Sequence, residues 1–144
     1  MTIECRNMEM ISRWFEQVWN EGCEEAIDEM YAVDGVAWGL GDAYVKGSEA
    51  FKQFHRLFLA TLSDIKYTMD DMIAAGERVA IRGKFEMTHK ATGKRITIRG
   101  GGIAHIREGK ITEAWNAWDF LGVMVQLGSL SEGAFAEALK GEGA

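Results

Sequence analysis

The sequence predicts an α+β fold, with helices first and a long antiparallel meander after them. Three observations carry this. Apolar residues between Met10 and Trp19 recur at helical spacing, whereas from Asp64 onward the period changes to two. Glycine-bearing turns then separate successive alternating runs, at Ala75-Gly76-Glu77, Ala91-Thr92-Gly93-Lys94 and Arg107-Glu108-Gly109.

Each element has its own signal. Met10, Ile11, Trp14, Phe15, Val18 and Trp19 make one face of an amphipathic helix, and Gly22 stops it. A shorter helix is expected over Glu24 to Tyr31, with Ile27, Met30 and Tyr31 inward. The glycine-punctuated GVAWGLGDAYVKG holds a short strand near Val36 to Trp38. Ser48 can cap a third helix with Phe51, Phe54, Leu57 and Phe58 on its apolar face. Strands follow in which Ile65, Tyr67 and Met69, then Val79, Ile81, Phe85 and Met87, alternate with polar residues. The last two strands run from Ile96 to Ile106 and from Ile111 to about Trp118, before short helices at Leu121 to Leu127 and Glu132 to Leu139. With no repeat, linker or low-complexity tract, one domain is expected over residues 1–144.

Orientation on the last two strands decides which polar groups face the core. Even positions from Ile96 to Ile106 are apolar or glycine, so they face the helices, while Arg99 and His105 face away. A two-residue turn at Glu108-Gly109 would need Glu108 at positive φ, which is disfavoured. A three-residue loop pairs Ile106 with Lys110 and sets Gly100 opposite Asn116. Thr112, Ala114, Asn116 and Trp118 then point inward; the other register would put Trp115 and Asp119 there. Asp119 precedes a helix and reads as its N-cap, and His105 reads as a surface or interface residue. Gly100-Gly101-Gly102 lies within a strand, so it permits bending and is no phosphate loop.

Composition excludes several classes. Hydrophobic residues make up 47% and charged residues 26% of 144, enough for a core. No apolar run approaches the roughly 20 residues of a membrane span, and the N-terminus lacks a signal-peptide pattern. Two cysteines, Cys5 and Cys23, fit reduced thiols in the cytoplasm. His55, His89 and His105 make no ligand motif, so neither a metal nor another cofactor is expected. Net charge is −6 with no basic run, which argues against nucleic acid as a partner.

The segments GERVAIRGKFEMTH, ATGKRITIRGGGIAHIREGKITEAW and WDFLGVMVQLG resemble SnoaL-like polyketide cyclases, and the order of elements is similar to the nuclear-transport-factor-2-like fold. The resemblance runs from Arg13-Trp14-Phe15 to Gln126-Leu127-Gly128. It implies helices closed over a strongly curved antiparallel sheet, a cone with an internal cavity for a small, mostly apolar ligand. It also implies an acid on the last strand, used by the cyclases for aldol ring closure and by the related limonene epoxide hydrolase. The matching position here is Asn116. An amide cannot shuttle a proton, although it can hold a carbonyl or enolate by hydrogen bonds. Gly100 and Gly102 replace polar groups of the cyclases. Gly83 and Phe85 stand for the hydrolase's arginine and second aspartate, Ala37 and Gly39 for its tyrosine and asparagine. The implied pocket is wide, aromatic and nearly uncharged.

Three functions follow. The first is an enzyme for cyclisation or isomerisation of a hydrophobic carbonyl compound, with Asn116 polarising the carbonyl. The ligand would be held by Trp14, Phe15, Phe54, Phe58, Tyr67, Phe85, Met87, Gly100, Gly102 and Trp118. The second is a non-catalytic binder using the same pocket, without an acid or base; a buried amide at Asn116 needs hydrogen-bond partners under either reading. The third is an interaction module. The outward face with Ile103, Ile111 and Trp115 is too apolar to be solvated, so a homodimer through that face is expected, as is common in the resembling family.

Overall fold

The period change at Asp64 does mark the passage from helices to sheet. In the computed structural model, which describes residues 1–41 and 44–141, helix α1 (Ile3–Trp14) is capped by the Thr2 hydroxyl, which accepts from the Cys5 amide at 3.1 Å. It runs on as a π-helical turn over Phe15–Asn20 and ends at Gly22, whose φ is +68°. Helix α2 (Glu25–Met30) leads into strand β1 (Tyr31–Trp38), then β2 (Val45–Lys46) and α3 (Ser48–Thr61). Ser48 is the buried first residue of α3; the cap position belongs to Gly47, whose φ of +89° a serine would not readily adopt. The meander β3 (Leu62–Ala75), β4 (Arg78–His89), β5 (Arg95–Arg107) and β6 (Lys110–Trp118) follows, then α4 (Phe120–Gln126) and α5 (Ala134–Leu139).

The six strands form one open, curved sheet in the order β2-β1-β6-β5-β4-β3. The expectation of a wholly antiparallel sheet is corrected: β1 runs parallel to β6, with Ala37 beside Ala114 and Trp38 beside Trp115. Consecutive hairpins build β3 to β6 and leave the far edge of β6 unpaired, and β1 covers that edge. β1 is also longer than the Val36 to Trp38 stretch expected, because the polar Asp34 and Gly35 hid its first half.

The β5–β6 hairpin corrects a second expectation. Its turn has two residues, with Glu108 at φ +51° and Gly109 at +75°, so Arg107 pairs with Lys110 and Ile106 with Ile111. A bulge follows at once: Thr112 has no partner, its hydroxyl donates to the His105 carbonyl at 3.1 Å, and His105 then faces Glu113. Gly102 therefore lies opposite Asn116, and Gly100 opposite Trp118, two residues from the expected pairing. Because the shift is two, parity survives, and Ala114, Asn116 and Trp118 still face the helices. Before the bulge parity is reversed, so Ile111 is buried (3% exposed) and leaves the outward face. Ile103 and Trp115 remain outward, at 44% and 38% exposed.

The core lies between the sheet's concave face and the helices. Met10, Ile11, Trp14, Val18 and Trp19 pack from the first helix, with Ile27 and Met30 from α2, onto Val79, Met87, Ile96, Ile98 and Ile106 of the sheet. The π-helical turn is pinned to the sheet by Asn20, whose side-chain oxygen accepts from the Tyr67 amide at 2.7 Å. No helix among the described residues is long and apolar enough to cross a membrane.

Candidate functional site

The apolar faces that make the core also leave a hollow within it. The first helix contributes Ile11, Trp14, Phe15 and Trp19, and α3 contributes Phe51, Phe54 and Phe58 at i, i+3 and i+7. Val79, Ile81 and Phe85 enter from β4, Ile98, Gly102 and Ala104 from β5, and Ile111, Ala114, Asn116 and Trp118 from β6. Tyr31, Ala37, Leu40 and Phe120 complete most of the wall of a cavity of about 90 Å³. Engineered cavities that take up benzene measure about 150 Å³, so the pocket is small, and the expectation of a wide one is corrected.

Aromatic rings account for the difference. A side chain at Gly83 would come within 2.4 Å of the Tyr67 hydroxyl, and one at Gly100 within 2.9 Å of the Trp118 ring. These glycines therefore seat neighbouring rings and do not free cavity volume. The same added carbons would meet the carbonyl oxygens of Thr68 and Ala117 at 2.3 and 2.2 Å, so curvature requires glycine there as well. Phe15 stacks on Tyr67 at 3.9 Å between ring centroids, and Trp19 meets Phe51, Phe58 and Phe85 edge-on.

Of the residues singled out in the sequence, Trp14, Phe15, Phe54, Phe58, Phe85, Gly102, Asn116 and Trp118 come together in the lining. Tyr67, Met87 and Gly100 lie behind it: Tyr67 backs Phe15, Met87 is fully buried core, and Gly100 underlies Trp118. Trp19 and Phe51 were missed as lining although they lie on the recognised helix faces. Tyr31 was missed because it follows α2 and sits on a strand the periodicity did not show.

Asn116 is held on both sides. Its Nδ2 donates to the Trp38 carbonyl at 3.0 Å, and its Oδ1 accepts from the Trp118 indole Nε1 at 3.1 Å. One partner can only accept and the other can only donate, which fixes the orientation of the amide. One N–H and one lone pair remain without a partner among the described residues.

Acids and histidines are employed elsewhere. Asp119 caps α4, accepting from the Gly122 amide at 2.8 Å, as its position before a helix predicts. Glu113 accepts from Trp38 Nε1 at 2.7 Å, and His89 Nδ1 meets the Thr92 hydroxyl at 2.8 Å. His55 is buried beneath Trp19 with Nε2 2.7 Å from the Val18 carbonyl. His105 and Arg107 meet Glu77 on the outer side; the hydrogen bond from His105, aided by the Arg107 charge, holds the Glu77 carboxyl below its usual range. Among the described residues the lining thus has no carboxylate, imidazole or cationic group. Nor does any group of three His, Cys, Asp or Glu among them have the spacing to hold a metal.

An open, curved mixed sheet closed by helices over an aromatic cavity defines the nuclear-transport-factor-2-like, or ketosteroid isomerase-like, fold. Within that class, the family model for the SnoaL-like polyketide cyclases matches residues 9–127, and the chain belongs to that family. Solved structures agree on the fold. TsrD from Streptomyces laurentii is 22% identical, with a TM-score of 0.77 over 88% of this chain and 97% of that one. A candidate SnoaL-like polyketide cyclase from Jannaschia sp. CCS1 is 16% identical, with a TM-score of 0.81 over 90% and 96%. A candidate polyketide cyclase from Bacillus cereus ATCC 10987 is 28% identical, with a TM-score of 0.74 over 83% and 79%. No curated protein matches the sequence.

Proposed function

We propose that the chain, as one domain over residues 1–144, binds a small, mostly apolar carbonyl compound in this cavity. Asn116 would polarise the carbonyl through its remaining N–H. The observation that carries the reading is the lining: aromatic and aliphatic throughout, with the amide of Asn116 locked between Trp38 and Trp118. Membership of the cyclase family supports a cyclisation or isomerisation on that carbonyl. A second reading, binding without catalysis, is favoured by the lining's lack of a proton-shuttling group among the described residues.

Native mass spectrometry of the protein as purified, followed by a crystal structure, tests both readings. A co-purified neutral compound with an oxygen beside Asn116 is the expected result. A closed cavity with nothing in it overturns both. Turnover of that compound, abolished in Asn116→Leu, selects the enzyme, whereas binding without turnover selects the binder.

The outer sheet face is part of the same proposal. Trp38, Ile103 and Trp115 are exposed on neighbouring strands, which supports a homodimer formed face to face. The two cysteines are free, which supports a reducing, cytoplasmic setting.

A further inference from the structure

We infer that Tyr31 is a second polar anchor of the cavity, donating its hydroxyl hydrogen to a neutral oxygen of the bound ligand. The inference rests on the cavity being a ligand site, as proposed above.

Tyr31 lines the cavity and is 2% exposed. Its ring is positioned without help from the hydroxyl. It stacks on Phe51 at 4.9 Å and 29°, and on Trp14 at 5.9 Å and 25°. It also lies over Gly35, where a side chain would come within 2.6 Å of the ring. A phenylalanine would fill the same space. Yet the hydroxyl is buried and has no hydrogen-bond partner among the described residues. Leaving a buried donor unpaired costs stability, and native proteins do so rarely. Two other buried side-chain atoms among the described residues also lack partners, Nδ2 of Asn7 and Nδ1 of His55, and neither residue lines the cavity.

The surroundings define the missing partner. Burial pushes the Tyr31 phenol far above its usual ionisation range, so it stays neutral and able to donate. No cationic group among the described residues lines the cavity, so an anionic ligand would be left uncompensated. The partner is then a neutral acceptor, such as a ketone, aldehyde, ester or ether oxygen. Asn116 meets the same cavity from another point of its wall, five residues along β6 from Ile111, the strand partner of Tyr31.

The test compares two probes on two proteins by NMR titration of the tryptophan indole signals. Cyclopentanone supplies an acceptor oxygen, and methylenecyclopentane replaces it with CH₂ at nearly the same shape. The native protein is expected to bind the ketone about three- to tenfold more tightly than the alkene, the value of one neutral hydrogen bond. In Tyr31→Phe the ratio should fall to about one while the alkene affinity holds. A ketone preference that persists in Tyr31→Phe would mean that another group, Asn116 first, takes the oxygen; the inference then fails and the cavity reading stands. If neither probe binds, both fail. Thermal unfolding without probe is independent of affinity: Tyr31→Phe should be at least as stable as the native protein. A lower melting temperature would show that the hydroxyl already has a partner, and would overturn the inference.

Discussion

Asn116 is the residue that the resemblance to the cyclases sets against their acid, and its surroundings define what an acid would meet here. With a carboxyl in the same rotamer, one oxygen could keep the bond from Trp118 Nε1. The other would face the Trp38 carbonyl oxygen, now 3.0 Å from an N–H donor. Two acceptors cannot satisfy one another, so the carboxyl is driven to hold its proton. In Asn116→Asp the introduced group should titrate above the ordinary aspartate value of about 3.9. Its raised value in the folded state makes the variant's stability fall as pH rises through that range. Carboxyl-carbon NMR titration checks this, and an exposed, unperturbed carboxyl would show that the side chain has left the cavity wall.

At the scale of elements, the β5–β6 hairpin shows how much a sequence can disclose. Strand parity was readable from Ile96 to Ile106, and it placed Asn116 and Trp118 correctly. The turn was not, because Glu108 adopts a left-handed conformation that costs an ordinary residue about 1–2 kcal/mol. The bulge at Thr112 leaves no mark in a hydrophobic pattern, since a single unpaired residue looks like a continued strand. The parallel partner β1 was equally hidden, because pairing between distant segments has no local signature. What was legible was the set of faces; what was not was the joinery. A direct prediction belongs here: Glu108→Asn gives the turn the Asn-Gly pair it prefers and should stabilise the protein by about 0.5–1 kcal/mol. Denaturant unfolding measures it, and unchanged stability would mean that Glu108 makes a compensating contact in solution.

For the whole molecule, the aromatic core sets an alkaline limit. Tyr31 and Tyr67 are both buried, and burial raises their ionisation well above the ordinary tyrosine value of 10.0; near Tyr67 the charge of Asp70 adds to this. Groups whose folded values are raised stabilise fully below the unfolded value, and that stability is lost as pH rises past it. Stability should therefore fall above about pH 10, by about 1.4 kcal/mol per pH unit for each tyrosine. Tyr31→Phe should remove about half of that slope, and urea titrations between pH 9 and 11 decide it. A slope independent of Tyr31 would place its hydroxyl in water. The same scale explains the small cavity: the rings of Trp14, Phe15, Trp19, Phe51, Phe54, Phe58, Phe85 and Trp118 crowd one space over a sheet whose glycines give way to rings.

The parallel seam between β1 and β6 has a consequence in time. Asn116 and Trp38 are tied across 78 residues, and Glu113 and Trp38 across 75. β1 leaves the ribosome early, yet its long parallel partner, β6, is the last strand to be made. Until β6 arrives, the hairpins of β3 to β5 can zip locally while the wall carrying Asn116 stays unbuilt. Closing so long a loop is the slow step such a topology imposes. The wall carrying Asn116 can therefore close only after β6 has been made, although Trp38, its partner across the seam, has long been in place.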